Sequence, residues 1–168
     1  MGMPASVEII DANAAYGIEA VYDYFSYVNE LLSPYRASSE VSRVNKGTLA
    51  IDEVSDEFYE VLALAEKTKK ESGGFFDIRR PDGTIDPSGI VKGWAIQNAA
   101  ELLTSLEYEN FYIDVGGDVA VRGVNAQGIP WSLGIRSPLT KNPRRCSWPE
   151  LLIRPIAFSR PRLVPIRC

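Results

Sequence analysis

Histidine is absent from all 168 residues of the chain. Its absence excludes a Ser-His-Asp or Cys-His catalytic group and any histidine-ligated zinc site within the chain. Cysteine is scarce: Cys146 and Cys168 both lie near the C-terminal end, which does not suggest a disulfide framework. The side chains that remain for chemistry are carboxylates and lysines, together with backbone groups. A hard, oxygen-seeking cation such as Mg²⁺ that bridges phosphates suits that inventory.

Long apolar runs are also missing. No stretch of about eighteen consecutive apolar residues occurs, so we expect no transmembrane segment. The N-terminus shows no basic stretch followed by the apolar region of a signal peptide. We therefore expect a cytoplasmic protein as the sequence stands, or an extracytoplasmic one if a signal segment precedes it. The composition, 45% hydrophobic and 24% charged, is that of one folded domain with a core.

Charge divides the chain near residue 137. Residues 1–137 carry 21 of the 22 acidic residues and 11 of the 18 basic residues, a net charge near −10. Residues 138–168 carry one acid, Glu150, seven basic residues and six of the eleven prolines. Prolines spaced in this way interrupt helices and central strands, so we interpret 138–168 as a weakly ordered tail. A basic tail could bind nucleic acid or a membrane surface, but aromatic residues are not interleaved with these charges. We expect no nucleic-acid partner; a basic-tailed interaction protein remains an alternative.

Hydrophobic periodicity predicts an α+β fold with helices packed on a mixed or antiparallel sheet. Ser55 is predicted to cap the second helix, and Ser72-Gly73-Gly74 to end it. The predicted helices cover residues 14–32, 56–71 and 88–103. Strands are predicted at 6–11, 111–115, 119–121 and 131–135, with short extended pieces at 41–45 and 48–51.

The segment from Asp86 to Ala95 is the best candidate for a binding site. It brings an acid, two glycines and Lys92 together where the third helix begins. We expect Ser88 to cap that helix and leave the amides of its first turn facing a ligand. Such a turn attracts phosphate, and Lys92 adds a positive charge one turn later. A glycine-tolerant turn with a solvated lysine is the alternative that these residues leave open.

Six segments of the chain resemble, in order, motifs of the ApbE family, the FAD:protein FMN transferases. They are Met1-Gly-Met-Pro, Tyr35-Arg36 with Ser39-Glu-Val-Ser-Arg-Val-Asn45, Ser72-Gly-Gly-Phe-Phe-Asp77, Asp86-Pro-Ser-Gly-Ile-Val-Lys-Gly93, Asp114-Val-Gly-Gly-Asp118 and Pro130-Trp-Ser-Leu-Gly-Ile-Arg136. The resemblance implies a T-fold-like domain over 1–137. It stops there, and the C-terminal half of the family's members has no counterpart after Pro138.

The resemblance implies a function and a set of site residues. The implied reaction transfers FMN from FAD to a threonine of a target protein and releases AMP, with Mg²⁺ as the metal. The residues implied to contact FAD are Met1, Tyr35, Phe75, Phe76, Asp77, Asp86 and Lys92, and the Gly89 carbonyl is implied to bind Mg²⁺. Because the other metal ligands of the family lie in the unmatched half, we expect impaired activity. A non-catalytic flavin- or nucleotide-binding module is the alternative.

Three of the site elements also have purely structural interpretations. Tyr35 follows Pro34 after a helix, a position where an aromatic ring most often packs as a lid on the core. Phe75-Phe76-Asp77 could be the plain start of a strand. Asp114 and Asp118 flank Gly116-Gly117, and aspartates beside such turns usually accept hydrogen bonds from turn amides.

Overall fold

The computed structural model describes residues 3–132. Its elements, in chain order, are β1 (Ala5–Ile9), α1 (Ala14–Leu32), α2 (Glu40–Asn45), α3 (Asp56–Glu71), α4 (Ser88–Ser105), β2 (Phe111–Val115) and β3 (Asp118–Arg122). The predicted α+β fold is confirmed. Met1, the boundary at residue 137 and the segment 138–168 lie outside the described residues. Of the strand predicted at 131–135, only Trp131 and Ser132 are described, and neither is in a strand.

The sheet has the order β1-β2-β3, and both strand pairs are antiparallel. Ile9 lies opposite Phe111, and Val115 lies opposite Asp118 across the turn formed by Gly116 and Gly117. Alternate residues of β2 are buried, which gives the sheet one apolar face. Helices α1 and α4 pack against each other and on the strands, and α3 packs on α4.

Helix α1 approaches the sheet very closely at Gly17. A Cβ atom there would lie 2.6 Å from Cε2 of Tyr108 and 2.7 Å from Cδ1 of Ile9. The hydroxyl of Tyr108 donates a hydrogen bond to the carbonyl of Asn13 at 2.9 Å, which fixes the ring beside the helix. Only glycine fits this approach without displacing a neighbour.

The extended piece predicted at 41–45 is wrong, because these residues belong to helix α2. The hydroxyl of Ser39 caps the helix by accepting a hydrogen bond from the amide of Ser42 at 3.1 Å. Val41 is fully buried in the core, while Val44 is half-buried beside it. The piece predicted at 48–51 is made of bends and turns rather than strand. Between residues 3 and 132, no helix combines the length and apolarity that a membrane crossing requires.

Candidate functional site

A cleft of about 380 Å³ lies where the C-terminal end of α1 meets the first turn of α4. Apolar side chains of Val28, Leu32 and Val91 line it, together with the polar groups of Ser88 and Lys92. Tyr35 and Pro34, from the loop after α1, line it as well. An apolar surface with a few polar groups is the usual composition of a small-molecule site.

Tyr35 is 85% exposed, so the interpretation of its ring as a lid on the core is wrong. The loop that carries it is held from both sides. The backbone amide of Tyr35 donates to Oγ of Ser33 at 3.3 Å, and Arg36 forms an ion pair with Glu30. The phenol ring is therefore presented at the cleft with its apolar surface available to a planar ligand.

Lys92 stands in the cleft wall and pairs with Asp118. Its Nζ lies 2.8 Å from Oδ2 of Asp118, the first residue of β3, and its side chain is 23% exposed. Asp118 therefore contacts a lysine rather than the turn amides expected for it. Asp114 does bind its turn: its Oδ1 accepts from the amide of Gly117 at 2.8 Å, as expected. Because this ion pair is partly exposed, Lys92 can leave Asp118 and bind a ligand phosphate at little cost in free energy.

The predicted cap of α4 is wrong in its residue. Pro87 occupies the N-cap position and Ser88 is the first helical residue. Oδ1 of Asp86 accepts from the amide of Ser88 at 3.1 Å and from its hydroxyl at 2.6 Å. The carboxylate of Asp86 therefore lies at the N-terminal end of α4, where the helix dipole favours a negative charge.

Arg80 binds the other oxygen of the Asp86 carboxylate. Burial by itself raises the pKa of Asp86, but the hydrogen bonds from Ser88 and the contact with Arg80 outweigh it and hold that pKa below 3.8. Sequence reasoning missed Arg80. Its signal was a basic pair, Arg79-Arg80, just before the Asp82-Gly83 turn that leads to Asp86.

Phe76 packs over the first turn of α4. A Cβ atom at Gly89 would lie 3.1 Å from Cε2 of this ring, so the glycine permits the close approach. The amide of Phe76 donates to Oγ of Ser72 at 3.0 Å, which holds the segment after α3 in place. The neighbouring ring, Phe75, is 99% exposed.

Asp77 points elsewhere. Its Oδ2 lies 2.6 Å from Nζ of Lys69 on α3, and hydrogen bonds from Lys69 and from the amide of Arg79 lower the pKa of Asp77. It lines a second cavity, of about 210 Å³, whose lining residues differ from those of the cleft. The structure thus brings Tyr35 and Lys92 to one cleft and groups Phe76, Asp86 and Gly89 at the start of α4. The implied FAD contacts of these residues stay predictions.

The described residues do not by themselves fit a Mg²⁺ site. Gly89 lies in the first turn of α4, where carbonyls accept hydrogen bonds from amides four residues later. The nearby carboxylates of Asp86 and Asp118 are paired with Arg80 and Lys92. Within residues 3–132, no three side chains of His, Cys, Asp or Glu gather as metal ligands. A Mg²⁺ ion prefers several oxygen ligands, so ligands from outside this range would be needed.

The model of the ApbE family matches the chain over residues 1–80 and 79–154. The chain belongs to the ApbE family. The second match extends beyond residue 137, the boundary predicted for the family domain.

Curated relatives of the chain carry the name FAD:protein FMN transferase. The chain is 25% identical to the one from Haemophilus influenzae over an alignment of 170 positions, which covers 70% of the chain and 49% of the relative. It is 36% identical to the one from Vibrio cholerae over 58 residues, 34% of the chain and 17% of the relative. The chain thus spans about half the length of the Haemophilus influenzae relative.

Solved structures share the fold. The flavin transferase ApbE from Vibrio cholerae matches with a TM-score of 0.73 and 23% identity, covering 82% of this chain and 62% of that one. The flavinyl transferase ApbE from Pseudomonas stutzeri, in its apo form, matches with a TM-score of 0.68 and 16% identity. It covers 79% of this chain and 61% of that one. The predicted ApbE-like fold is confirmed.

Proposed function

We propose that this protein is an FAD:protein FMN transferase that binds FAD in the cleft between α1 and α4. Its FAD would donate FMN to a threonine of a target protein, in a reaction that depends on Mg²⁺ and releases AMP. Family membership and the names of the curated relatives support flavin transfer. The threonine acceptor, the metal and the leaving group follow from the resemblance of the motifs.

The observation that carries the proposal is the composition of the cleft. An exposed phenol ring, Tyr35, stands at one wall, and the amine of Lys92 stands at another. FAD combines planar rings with a pyrophosphate, so it needs both an apolar stacking surface and a positive charge. The cleft volume of about 380 Å³ accommodates part of FAD, and the rest would extend past the open rim.

The reaction proposed for this cleft breaks one bond and forms another. The threonine oxygen attacks the phosphorus of the FMN half of FAD, and the P–O bond to AMP breaks. The hydroxyl proton passes to water, and AMP departs with the bridging oxygen. Lys92, released from Asp118, would neutralise negative charge on a phosphate as the bond breaks.

Mg²⁺ would neutralise the remaining phosphate charge when it is bound. Because residues 3–132 do not assemble its ligands, we derive no step through the ion. The resemblance names the Gly89 carbonyl as a ligand, but the described residues supply no further ligands beside it.

The experiment measures binding and turnover separately. The chain is titrated with FAD by flavin fluorescence, and AMP is added as a competitor. FAD and Mg²⁺ are then incubated with the chain and a library of threonine-containing peptides, and peptide masses and free AMP are measured. We expect FAD binding, competition by AMP and, because the activity is expected to be impaired, only slow formation of an FMN adduct, which disappears with EDTA.

Each outcome decides one part of the proposal. FAD binding with neither adduct nor AMP would identify a flavin-binding module and reject the transferase. Adduct formation that is unaffected by EDTA would reject the Mg²⁺ dependence. A chain that binds no FAD at all would reject the proposed function as a whole. The matched control for the adduct is the same library with alanine in place of threonine.

A further inference from the structure

Helix α2 connects the two walls of the cleft, although none of its residues lines the cleft. Its N-cap residue, Ser39, and its third residue, Ser42, hold the loop that carries Tyr35. The hydroxyl of Ser39 donates to the carbonyl of Ser33 at 2.6 Å, and the hydroxyl of Ser42 donates to the carbonyl of Pro34 at 3.3 Å. These contacts place the α1 side of the cleft relative to α2.

The last residue of α2, Asn45, holds the other wall. Its Nδ2 donates to the carbonyl of Ile85 at 2.8 Å, and its Oδ1 accepts from the amide of Ile85 at 2.7 Å. The two hydrogen bonds join positions forty residues apart in sequence. Ile85 is 4% exposed, so its backbone groups depend on this partner rather than on water.

We propose that Asn45 is a positioning residue of the cleft, whose side chain clamps the backbone of Ile85 and thereby holds Asp86 at the start of α4. Fixing both the amide and the carbonyl of Ile85 sets the direction in which the chain enters Asp86. The amide of Asp86 then donates to the carbonyl of Ile78 at 2.8 Å, which fixes the residue from its other side. Asp86 can then reach both Ser88 and Arg80.

The residue type is specific to this task. An asparagine side chain carries an amide nitrogen that donates and, beside it, an amide oxygen that accepts, so it can pair with both backbone groups of a single residue. Aspartate has only acceptors, and serine has one atom that cannot span both groups. The segment Ser39–Asn45 therefore links the Tyr35 loop to the Asp86 turn through side-chain hydrogen bonds to both.

The test reads Asp86 directly and needs no ligand. The carboxyl carbon shifts of Asp86 are followed against pH by NMR in the full chain, in wild type and in Asn45→Ala. We expect the pKa of Asp86 to rise in Asn45→Ala, because a carboxylate that is no longer held loses its hydrogen bonds from Ser88 and Arg80. Should that variant fail to fold, Asn45→Ser takes its place, because the smaller polar side chain leaves room for water to bind the amide and the carbonyl of Ile85.

Asn110→Ala is the matched control. Asn110 also bridges two partners, donating to Asp11 at 2.8 Å and accepting from the amide of Val124 at 2.9 Å, but it lies beyond the C-terminal end of α4. We expect it to lower stability and to leave the pKa of Asp86 unchanged. An Asp86 pKa that moves in neither variant, or equally in both, would overturn the inference.

A second measurement tests whether Asn45 affects FAD binding, and this part rests on the proposed function. FAD titration of Asn45→Ala should show about tenfold weaker binding than wild type, because a displaced Asp86 turn would weaken the ligand contacts made at the start of α4. Asn110→Ala should bind FAD like wild type. Equal affinity of Asn45→Ala and a binding-competent wild type would overturn the inference. A wild type that binds no FAD would reject the proposed function, while the Asp86 titration would still decide the role of Asn45.

Discussion

The two ends of helix α4 are built differently. Beyond its C-terminal end, Asp11 accepts hydrogen bonds from the amides of Glu109 and Asn110 and from the Asn110 side chain, at 2.7–2.8 Å. Around its N-terminal end, the ion pairs Lys92–Asp118 and Arg80–Asp86 are partly exposed. Aromatic rings follow the same division: Tyr108 is buried at one end, while Tyr35 is 85% exposed at the other.

This difference shows how the fold separates stability from binding. Hydrogen bonds from several backbone amides to one carboxylate hold distant chain segments together. Partly exposed ion pairs add little to stability, and their members can turn to a ligand instead. Substitutions at the C-terminal end should therefore lower the free energy of unfolding, and substitutions at the cleft should weaken FAD binding with little effect on stability.

The largest loss of stability is expected from Gly17→Ala. The added methyl group would clash with Tyr108 and Ile9, at 2.6 Å and 2.7 Å, and this outweighs the gain in helix propensity. We expect a free energy of unfolding lower by about 2 kcal/mol, measured by urea denaturation. Gly93→Ala is the control at the other end, since nothing lies within 4 Å of its added Cβ. It should raise the free energy of unfolding by up to about 1 kcal/mol. Equal losses of stability in the two variants would refute the proposed difference between the two ends of α4.

The largest loss of ligand binding is expected from Lys92→Met. Methionine keeps most of the apolar length but removes the charge that would meet a phosphate. FAD binding at low salt should weaken about tenfold, with a free energy of unfolding within about 0.5 kcal/mol of wild type. Lys70→Met, at a lysine on α3 that is 75% exposed, is the control and should change neither value. Unchanged FAD affinity in Lys92→Met would reject its role as a phosphate ligand.

The sequence predicted the long elements well because their signals are local. Helix α1 has the bounds predicted from its hydrophobic periodicity, and α3 has its predicted cap at Ser55. Helix α2 was missed because six residues with two valines show too little periodicity to distinguish a helix from a strand. Ser39 three residues before Ser42 was the available sign of a capped helix.

The sequence pointed to residues that the structure places in or near the cleft, but not to the contacts among them; their roles in binding stay predictions. The motif resemblance named Tyr35 and Lys92, which line the cleft, and Asp86, which lies just before α4. Lys92 pairs with Asp118 and Asn45 pairs with Ile85 across long stretches of sequence, and one sequence carries no signal for such long-range pairs. Ser88 was misassigned because Asp86, two residues earlier, receives its hydrogen bonds instead.

Acid should weaken the C-terminal end through Asp11. Burial alone raises the pKa of Asp11, but hydrogen bonds from Asn110 and the amide of Glu109 hold it below 3.8. Because the folded-state pKa is the lower one, the stability from Asp11 is complete above 3.8 and is lost as the pH falls through the folded-state value. The destabilisation caused by Asp11→Asn should therefore shrink as the pH falls below 3.8 in urea titrations. A penalty that is independent of pH would show that the charge of Asp11 contributes nothing.

The smallest effect on stability is expected from Phe75→Ala. The ring is 99% exposed, so its removal leaves no cavity, and the free energy of unfolding should stay within about 0.5 kcal/mol of wild type. If the ring stacks on a planar part of FAD, its loss should weaken FAD binding about threefold to tenfold, the range of one aromatic contact. Tyr16→Ala, at a tyrosine of α1 that is 63% exposed, is the control and should leave FAD affinity unchanged. Equal FAD affinity of Phe75→Ala and wild type would show that Phe75 makes no contact with FAD, which would leave Tyr35 and Phe76 as the aromatic candidates.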